Sequence, residues 1–137
     1  MPRSLRLGSL AIALVLLLAG CEDATPGPTT PTEPTLVTST FTGTLTTAGG
    51  VTFPFAVSSS GPITATLTAM SDSALVVGIA LGTWNGSACT IVVARDTASQ
   101  GDAVNGTAGS LGTLCVRLYD VGNVTDPQDF TIAVEHP

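Results

Sequence analysis

Apolar and polar side chains alternate with a period of two along short stretches of residues 38–137. Successive side chains of a β-strand point to opposite faces, so this alternation predicts strands that bury one face. A further stretch, residues 75–81, is apolar throughout and predicts a central strand covered on both faces. The inward positions predicted for the alternating strands are Phe41, Gly43 and Leu45; Val51, Phe53, Phe55 and Val57; Ile63, Ala65, Leu67 and Ala69; Ile91 and Val93; Leu114, Val116 and Leu118; and Phe130, Ile132 and Val134.

Glycine-rich breaks separate these stretches, as turns do between strands. Pro54 lacks a backbone donor, which places its strand at the edge of a sheet. Short strands with turns between them are typical of two packed sheets, so we expect one all-β sandwich of about seven to nine strands at residues 38–137. The predicted turns lie at residues 48–50, 60–62, 85–86, 105–106 and 122–123.

The beginning of the chain has the pattern of an export signal that ends in a cysteine. Arg3 and Arg6 precede an apolar run at residues 10–18, and residues 18–21 (LAGC) end it. That ending resembles the lipobox of bacterial lipoproteins, in which the signal is cut before the cysteine and the thiol receives diacylglycerol. The resemblance implies a signal peptide at residues 1–20, lipid on Cys21, and a protein held on a membrane of the bacterial cell envelope, at the periplasmic face or the cell surface.

Two other interpretations of this segment fit less well. A helix that stays in the membrane needs about 20 apolar residues, and residues 10–20 supply only 11. A signal that is cleaved without lipid attachment favours a small residue three positions before the cut, where this chain has Leu18. We expect no transmembrane helix in the mature chain, so lipid would supply the membrane affinity.

Residues 21–37 predict a disordered linker between the lipid and the sandwich. Prolines at positions 26, 28, 31 and 34 are interleaved with threonines. Proline fixes φ and removes a backbone donor, so neither a helix nor an inner strand is expected here. At about 3.1 Å per residue, the segment would reach on the order of 50 Å and hold the domain clear of the lipid surface.

The charge of the mature chain is strongly negative. Arg3 and Arg6 would leave with the signal, which leaves two arginines, no lysine and ten acidic residues, a net side-chain charge of −8. Nucleic acids and anionic lipid head groups bind clustered lysine and arginine. We therefore expect no nucleic-acid partner.

Cys89 and Cys115 are the cysteines that remain once Cys21 carries lipid. An even pair in an exported domain predicts one disulfide, which would stabilise the fold by roughly 3 kcal/mol. Two buried free thiols are the alternative. The spacing of the two cysteines excludes a redox or zinc site of the CxxC type.

The last third of the chain resembles the closing hairpin of bacterial pre-peptidase C-terminal domains. The resemblance rests on residues 111–120 (LGTLCVRLYD) and 129–134 (DFTIAV), and residues 61–67 (GPITATL) resemble an earlier strand of that family. It implies an antiparallel jelly-roll-like sandwich of the kind that secreted proteins carry beside a catalytic domain. The sequence shows no catalytic domain here, so we expect a module that binds or spaces.

Few residues are suited to catalysis. His136 is the only histidine and lies next to the last residue, where chains commonly fray. A Ser-His-Asp relay needs a firmly held imidazole, and catalytic zinc needs several His or Cys ligands. We therefore expect a protein that is not an enzyme. A pair of carboxylates acting as in glycosidases stays open as the alternative, with most acidic residues in predicted turns.

Two features suggest ligands. The loop at residues 120–129 offers Asp120, Asp126 and Asp129, and hard carboxylate oxygens are the donors that Ca²⁺ prefers; the alternative is a solvated hairpin loop. Trp84, the only tryptophan, stands before a predicted turn. Its indole would either stack on a sugar ring or cover one end of the core.

These features predict a lipid-anchored envelope lipoprotein whose non-catalytic sandwich binds a protein or polysaccharide partner. A structural spacer without a specific ligand is the alternative, and a hydrolase is the third candidate. An aromatic platform around Trp84 would favour the binder, whereas a uniformly threonine-rich polar face would favour the spacer.

Replacement of the lipobox cysteine tests the anchor. Cys21→Ser removes the thiol that would carry diacylglycerol, so we expect the variant to leave the detergent phase and enter the aqueous phase on Triton X-114 partitioning. The wild-type chain should stay with the membrane proteins. Identical partitioning of the two would contradict lipid attachment at this position.

Overall fold

The structure, a computed structural model, describes residues 26–137. The predicted signal peptide and Cys21 lie outside these residues. Residues 26–36 have no regular secondary structure and are mostly exposed. Residues 32–137 form a compact unit with its own core. Its eight strands are β1 (Val37–Leu45), β2 (Gly50–Val57), β3 (Gly61–Met70), β4 (Val77–Trp84), β5 (Cys89–Ala98), β6 (Ala103–Ala108), β7 (Gly112–Tyr119) and β8 (Gln128–His136).

The strands form two four-stranded sheets. Sheet A has the order β1-β8-β3-β6, and sheet B has the order β2-β7-β4-β5. All neighbouring strands are antiparallel, and the described residues contain no helix. The prediction of an all-β sandwich is confirmed. Pro54 lies in β2, at the edge of sheet B, as its missing donor predicts.

The strand pairing is nested: the first strand pairs with the last, and each following strand pairs with the next one inward. β1 pairs with β8, β2 with β7, β3 with β6 and β4 with β5. Only β4 and β5 are consecutive strands that share a sheet, so the other connections pass from one sheet to the other. Most pairings therefore join residues far apart in the sequence, and the loop-closure entropy of these pairings opposes folding.

The core lies between the sheets and is closed on one side by aromatic rings. The edge strands β1 and β2 face each other there, and the rings of Phe41 and Phe53 stack with centroids 5.0 Å apart. Phe53 meets Phe130 edge to face at 6.2 Å. The largest fully buried side chains besides Cys115 are Leu45, Leu67, Ile79, Leu118, Ile132, Val77, Val116 and Val134.

The turn predicted at residues 105–106 is wrong, because these residues lie inside β6. Asn105 points outward and accepts a hydrogen bond from the Thr64 hydroxyl at 3.0 Å. Gly106 takes the inward position beside Leu81, where even a methyl carbon would lie 3.3 Å from the nearest side-chain atom. The Asn-Gly pair thus serves packing here and not the turn that it usually forms.

The inward positions predicted for Ala69 and Ile91 are also wrong. The register of β3 against β8 shifts between Leu67 and Ala69, which leaves Ala69 exposed and buries Met70 instead. The pairing runs from Leu81 opposite Val93 to Gly82 opposite Ile91, so β5 bulges and Val92 has no partner. A one-residue shift of register moves a side chain to the other face. Ile91 is therefore 42% exposed and Val92 73% exposed, whereas Val93 packs against the core.

The predicted disulfide joins Cys89 of β5 to Cys115 of β7 across the intervening strand β4. Two strands on either side of a third are normally about 9–10 Å apart, yet these Cα atoms are 5.9 Å apart. Gly82 of β4 explains the approach. A side-chain carbon on Gly82 would collide with the carbonyl group of Thr90, so its absence lets the start of β5 fold over β4.

Gly82→Ala tests this close approach. The methyl group must displace backbone atoms of Thr90, so we expect a loss of about 1–3 kcal/mol in the free energy of unfolding. A lower yield of the Cys89–Cys115 disulfide should accompany it. Thermal melts and free-thiol counts on the oxidised protein measure both effects.

Gly112→Ala is the matched control, because a side-chain carbon at Gly112 meets nothing within 4 Å. Its melting temperature and thiol count should match those of the wild type. Equal stability of the Gly82 and Gly112 variants would contradict the packing of Thr90 on Gly82.

Candidate binding surface

The outer faces of the two sheets differ in chemistry. Sheet A carries threonine on alternate positions of β1 and β3 and at one position of β8, and several hydroxyls bond within the face. Thr44 donates to Asp129 at 2.6 Å, and Thr68 donates to the Thr131 carbonyl at 3.1 Å. The threonines of this face are Thr38, Thr40, Thr42, Thr44, Thr64, Thr66, Thr68 and Thr131.

A depression of about 560 Å³ lies on the sheet A face between the ends of β1, β3 and β8. Some of its polar groups bond one another. The Asp129 carboxylate accepts from Thr44, and the Asp129 backbone N–H donates to the Ser71 hydroxyl at 3.1 Å. Asp129 is therefore partly engaged by its neighbours in the sandwich.

Sheet B carries large side chains over a strand of small ones. Three outward positions of β7 are Cys115, Arg117 and Tyr119, and they lie opposite Gly82, Ala80 and Gly78 of β4, respectively. All three small residues are buried although they point away from the core. The β7 side chains, together with Ile91 and Trp84, thus form a second layer, which we call the sheet B platform.

Tyr119 is held rigidly in the platform. Its ring lies directly on Gly78, where any side chain would overlap the ring atoms. Its hydroxyl donates a hydrogen bond to the Asp96 carboxylate. Burial, the hydrogen bond and the charge of Asp96 together raise the pKa of Tyr119 to about 12, while Arg117 opposes the shift. The phenol therefore stays protonated at neutral pH.

Arg117 is an exposed cation with no ion pair among the described residues. Its guanidinium lies over Gly50, where a side-chain carbon would lie 2.7 Å from Nη2. Arg95, the other arginine of residues 26–137, pairs with Asp102 at 3.0 Å instead. The guanidinium of Arg117 therefore keeps its donors for water or a ligand.

A depression of about 320 Å³ adjoins Arg117 and Tyr119, with Ile91 and Asp120 also in its wall. Ala48 in the same wall has a φ of 54°, the left-handed conformation that costs a residue with a side chain on the order of 1 kcal/mol. The Asp120 carboxylate stabilises this turn by accepting the Ala48 N–H at 2.8 Å.

Asp120 also fixes the loop that follows it. Its Oδ1 accepts from the backbone N–H groups of Gly122, Asn123 and Val124 at 2.7, 2.8 and 3.0 Å. The hydrogen bond from the Ala48 N–H, together with these three, lowers the pKa of Asp120 to about 2. The carboxylate predicted to bind calcium is thus engaged by the backbone.

The structure does not bring the three predicted calcium ligands together. Asp129 bonds Thr44 in β1, and Asp126 accepts from the neighbouring Thr125 hydroxyl at 3.3 Å. Within residues 26–137, no group of three or more His, Cys, Asp or Glu side chains is placed to hold a metal ion. The geometry agrees with the alternative, a solvated loop held by hydrogen bonds.

Trp84 ends β4 and lies half-buried opposite Cys89, at the end of the platform away from Tyr119. It does not belong to the core cluster. Gly78, under Tyr119, and Trp84 are six positions apart along β4. At about 3.3 Å per residue the two aromatic residues are roughly 20 Å apart.

His136 does not fray as the sequence predicts. It pairs with Val37 of β1, is 4% exposed and packs on Phe55 with ring centroids 5.0 Å apart. Its Nε2 lies 2.9 Å from the Ser39 hydroxyl. No Asp or Glu of the described residues bonds its other ring nitrogen, so the carboxylate member of a catalytic relay is missing there.

Alternation alone places Cys115, Arg117 and Tyr119 on one face, so that part of the platform is visible in the sequence. The sequence does not reveal that Gly78 and Asp96 contact Tyr119 and that Gly50 contacts Arg117. Pairing between strands that are distant in the sequence brings these residues together. No protein-family model matches this sequence, and comparison with curated proteins finds no relative. Within residues 26–137 no helix long and apolar enough to cross a membrane is found.

Asp120→Asn tests the hydrogen-bonded loop through its pH dependence. The pKa is lowered in the folded protein, so this carboxylate contributes stability above a pH of about 4, and the contribution is lost as the pH falls towards about 2. We expect the variant to melt at a lower temperature than the wild type at pH 7. Its melting temperature should also fall less than that of the wild type between pH 4 and pH 2. Melting curves across that range measure the difference.

Asp126→Asn is the control, since this carboxylate accepts only from an adjacent side chain. Its curve should follow that of the wild type. If the melting temperature of Asp120→Asn falls between pH 4 and pH 2 as much as that of the wild type, the Asp120 carboxylate does not stabilise the loop.

Proposed function

We propose that the protein is a lipid-anchored lipoprotein of the bacterial cell envelope whose sandwich binds a polysaccharide chain through the sheet B platform. The observation that carries the proposal is the rigid platform itself. Tyr119 and Trp84 stand at its two ends, and near Tyr119 lies Arg117, which has no ion pair within residues 26–137. Trp, Tyr and Arg are the residue types that dominate binding surfaces.

The platform suits an extended, flat ligand. Sugar rings present C–H groups that pack on aromatic rings, and sugar hydroxyls accept hydrogen bonds from guanidinium and indole N–H groups. The Tyr119 ring is fixed by Gly78 and Asp96, so little side-chain entropy is lost when a ligand packs on it. The separation of roughly 20 Å between the two aromatic residues suits several consecutive sugar units.

Attachment to the membrane is the second element of the proposal. It rests on the lipobox at residues 18–21, and two or three acyl chains at about 0.8 kcal/mol per buried CH₂ would hold the protein firmly. Residues 21–37 would then act as the linker, with β1 of the sandwich beginning at Val37. The exposed, irregular backbone of residues 26–36 supports this division.

We further propose that the sandwich is a jelly roll of the pre-peptidase C-terminal type, without enzymatic activity. The nested pairing of β1 with β8, β2 with β7, β3 with β6 and β4 with β5 supports the jelly roll. The Ser39–His136 contact without a carboxylate supports a non-catalytic role.

A spacer without a ligand is the second candidate, and the sheet A face favours it. Hydroxyls of that face bond neighbouring protein groups, as Thr44 does with the Asp129 carboxylate, which suits a surface that only faces water. Under this alternative the platform would be a structural cover of sheet B.

Binding measurements with matched variants separate the two candidates. The soluble chain from residue 21, with Cys21→Ser, is titrated with polysaccharide purified from the envelope of the source bacterium. We expect Trp84→Ala and Arg117→Ala each to weaken binding by about 10-fold or more, since truncated hot-spot residues cost at least about 1.4 kcal/mol.

Thr42→Ala and Thr66→Ala, on the outer face of sheet A, are the controls and should leave the affinity unchanged. Loss of binding in the sheet A variants alone would move the site to that face. Absence of any saturable binding to polysaccharide would favour the spacer. Binding to an envelope protein and not to polysaccharide would mean that the ligand is a protein.

A further inference from the structure

The chain carries two Asn-Gly pairs that share a local sequence but differ in backbone setting. Each is followed by a residue with a hydroxyl group, in residues 85–87 (NGS) and 105–107 (NGT). Asparagine before glycine is the pair in which the next backbone nitrogen attacks the side-chain amide most readily, because glycine has no side chain to obstruct the approach. A difference in reactivity between the two pairs would therefore come from the fold and not from the neighbouring residues.

The first pair lies in the turn between β4 and β5. Residues 85–88 are all exposed, and Gly86 has a φ of 100° with open space where a side chain would lie. A backbone hydrogen bond of 3.2 Å from the Asn85 N–H to the Ala88 carbonyl closes the turn. These residues stand between the strands and not within them, so rotation about the backbone of Asn85 disturbs one turn and leaves the sheet intact.

Three donors converge on the side-chain carbonyl oxygen of Asn85. Its Oδ1 accepts from the backbone N–H groups of Ser87 at 3.0 Å and Ala88 at 2.8 Å, and from the Ser87 hydroxyl at 3.2 Å. The bond to the N–H two residues further on folds the amide over the backbone of Gly86. Donors aimed at a carbonyl oxygen stabilise the negative charge that forms there when its carbon is attacked.

The second pair is held inside a strand. Asn105 and Gly106 belong to β6 and lie opposite Thr64 and Ile63 of β3. Asn105 is exposed like Asn85, but its Oδ1 accepts from the Thr64 hydroxyl at 3.0 Å, which ties the side chain to the neighbouring strand. A strand residue has a ψ of about +135°, which turns its Cβ away from the next backbone nitrogen. Attack on this amide therefore requires β6 to open locally.

We propose that Asn85 is a site of self-modification, converted to aspartate or isoaspartate through a cyclic imide with Gly86, and that β6 protects Asn105 from the same reaction. Hydroxide from the solvent removes the proton of the Gly86 N–H, and this nitrogen forms a bond to Cγ of Asn85. The bond from Cγ to Nδ2 breaks, and Nδ2 leaves as ammonia with a proton from water. Water then cleaves one of the two C–N bonds of the imide ring, which leaves a carboxylate next to Trp84 in the chain.

Conversion of the two asparagines in one folded molecule tests the proposal. The soluble chain from residue 21 with Cys21→Ser, which contains the compact unit of residues 32–137, is incubated at mildly alkaline pH. Mass spectrometry of its peptides then follows the loss of each amide. We expect Asn85 to react about 10-fold or more faster than Asn105, since an opening free energy of only about 1.4 kcal/mol in β6 supplies that factor. In the reduced chain in denaturant, the two rates should become similar.

Two variants identify the product and the role of the donors. Asn85→Asp has the charge of the product, so the acidic form that the wild type acquires should elute with this variant on ion exchange. Ser87→Ala removes the hydroxyl donor to Oδ1 and keeps both backbone donors, so it should slow the reaction of Asn85 several-fold. Thr107→Ala is the matched control at the equivalent position after Asn105, and it should leave the rate at Asn85 unchanged. Thermal melts verify that each variant is folded.

Three results would overturn the proposal. The first is an equal rate at Asn85 and Asn105 in the folded chain, which would mean that β6 gives no protection. The second is an Asn85 that stays intact in the folded chain and reacts only in denaturant, because the turn would then protect its amide. The third is a Ser87→Ala variant that reacts as fast as the wild type, which would remove the hydroxyl donor from the reaction.

Discussion

Pairing of β1 with β8 holds the two ends of the domain together, and much of the structure depends on it. The register sets Val37 opposite His136, which buries the imidazole between Ser39 and Phe55. The same pairing brings β1 against β2, where stacked phenylalanine rings close the core. The last residues are held further by a hydrogen bond from the Ser58 N–H to the Pro137 carbonyl. The first and last strands of the domain thus form the edge and an inner strand of sheet A.

The difference between the two outer faces follows from which positions lack side chains. Sheet A presents threonines at regular positions, and each is too short to cover its neighbours. In sheet B, the small residues of β4 leave room above the strand for the Tyr119 ring and for the disulfide. Missing side chains on β4 therefore build a rigid surface, and the same absence at Gly82 curves β5 over the sheet.

That curvature has a second consequence. The register of β5 shifts beside Gly82, so the alternation breaks and Ile91 and Val92 become exposed. The disulfide that joins β5 to β7 constrains the unfolded chain and offsets part of the entropy lost in the distant strand pairings.

Local sequence determined the class of this fold and most of its strands, because period-two alternation depends only on residues that are neighbours in the chain. The disulfide pair followed from the number of cysteines. Alternation failed at Ile91, where a bulge shifts the register, and the Asn-Gly signal at residues 105–106 failed because tertiary packing overrides turn preference. Only the tertiary structure decided that Asp96, Gly50 and Gly78 support Tyr119 and Arg117, and that the Asp120 carboxylate serves the backbone. Those contacts join residues that are distant in the chain, and no local pattern encodes which distant strands become neighbours.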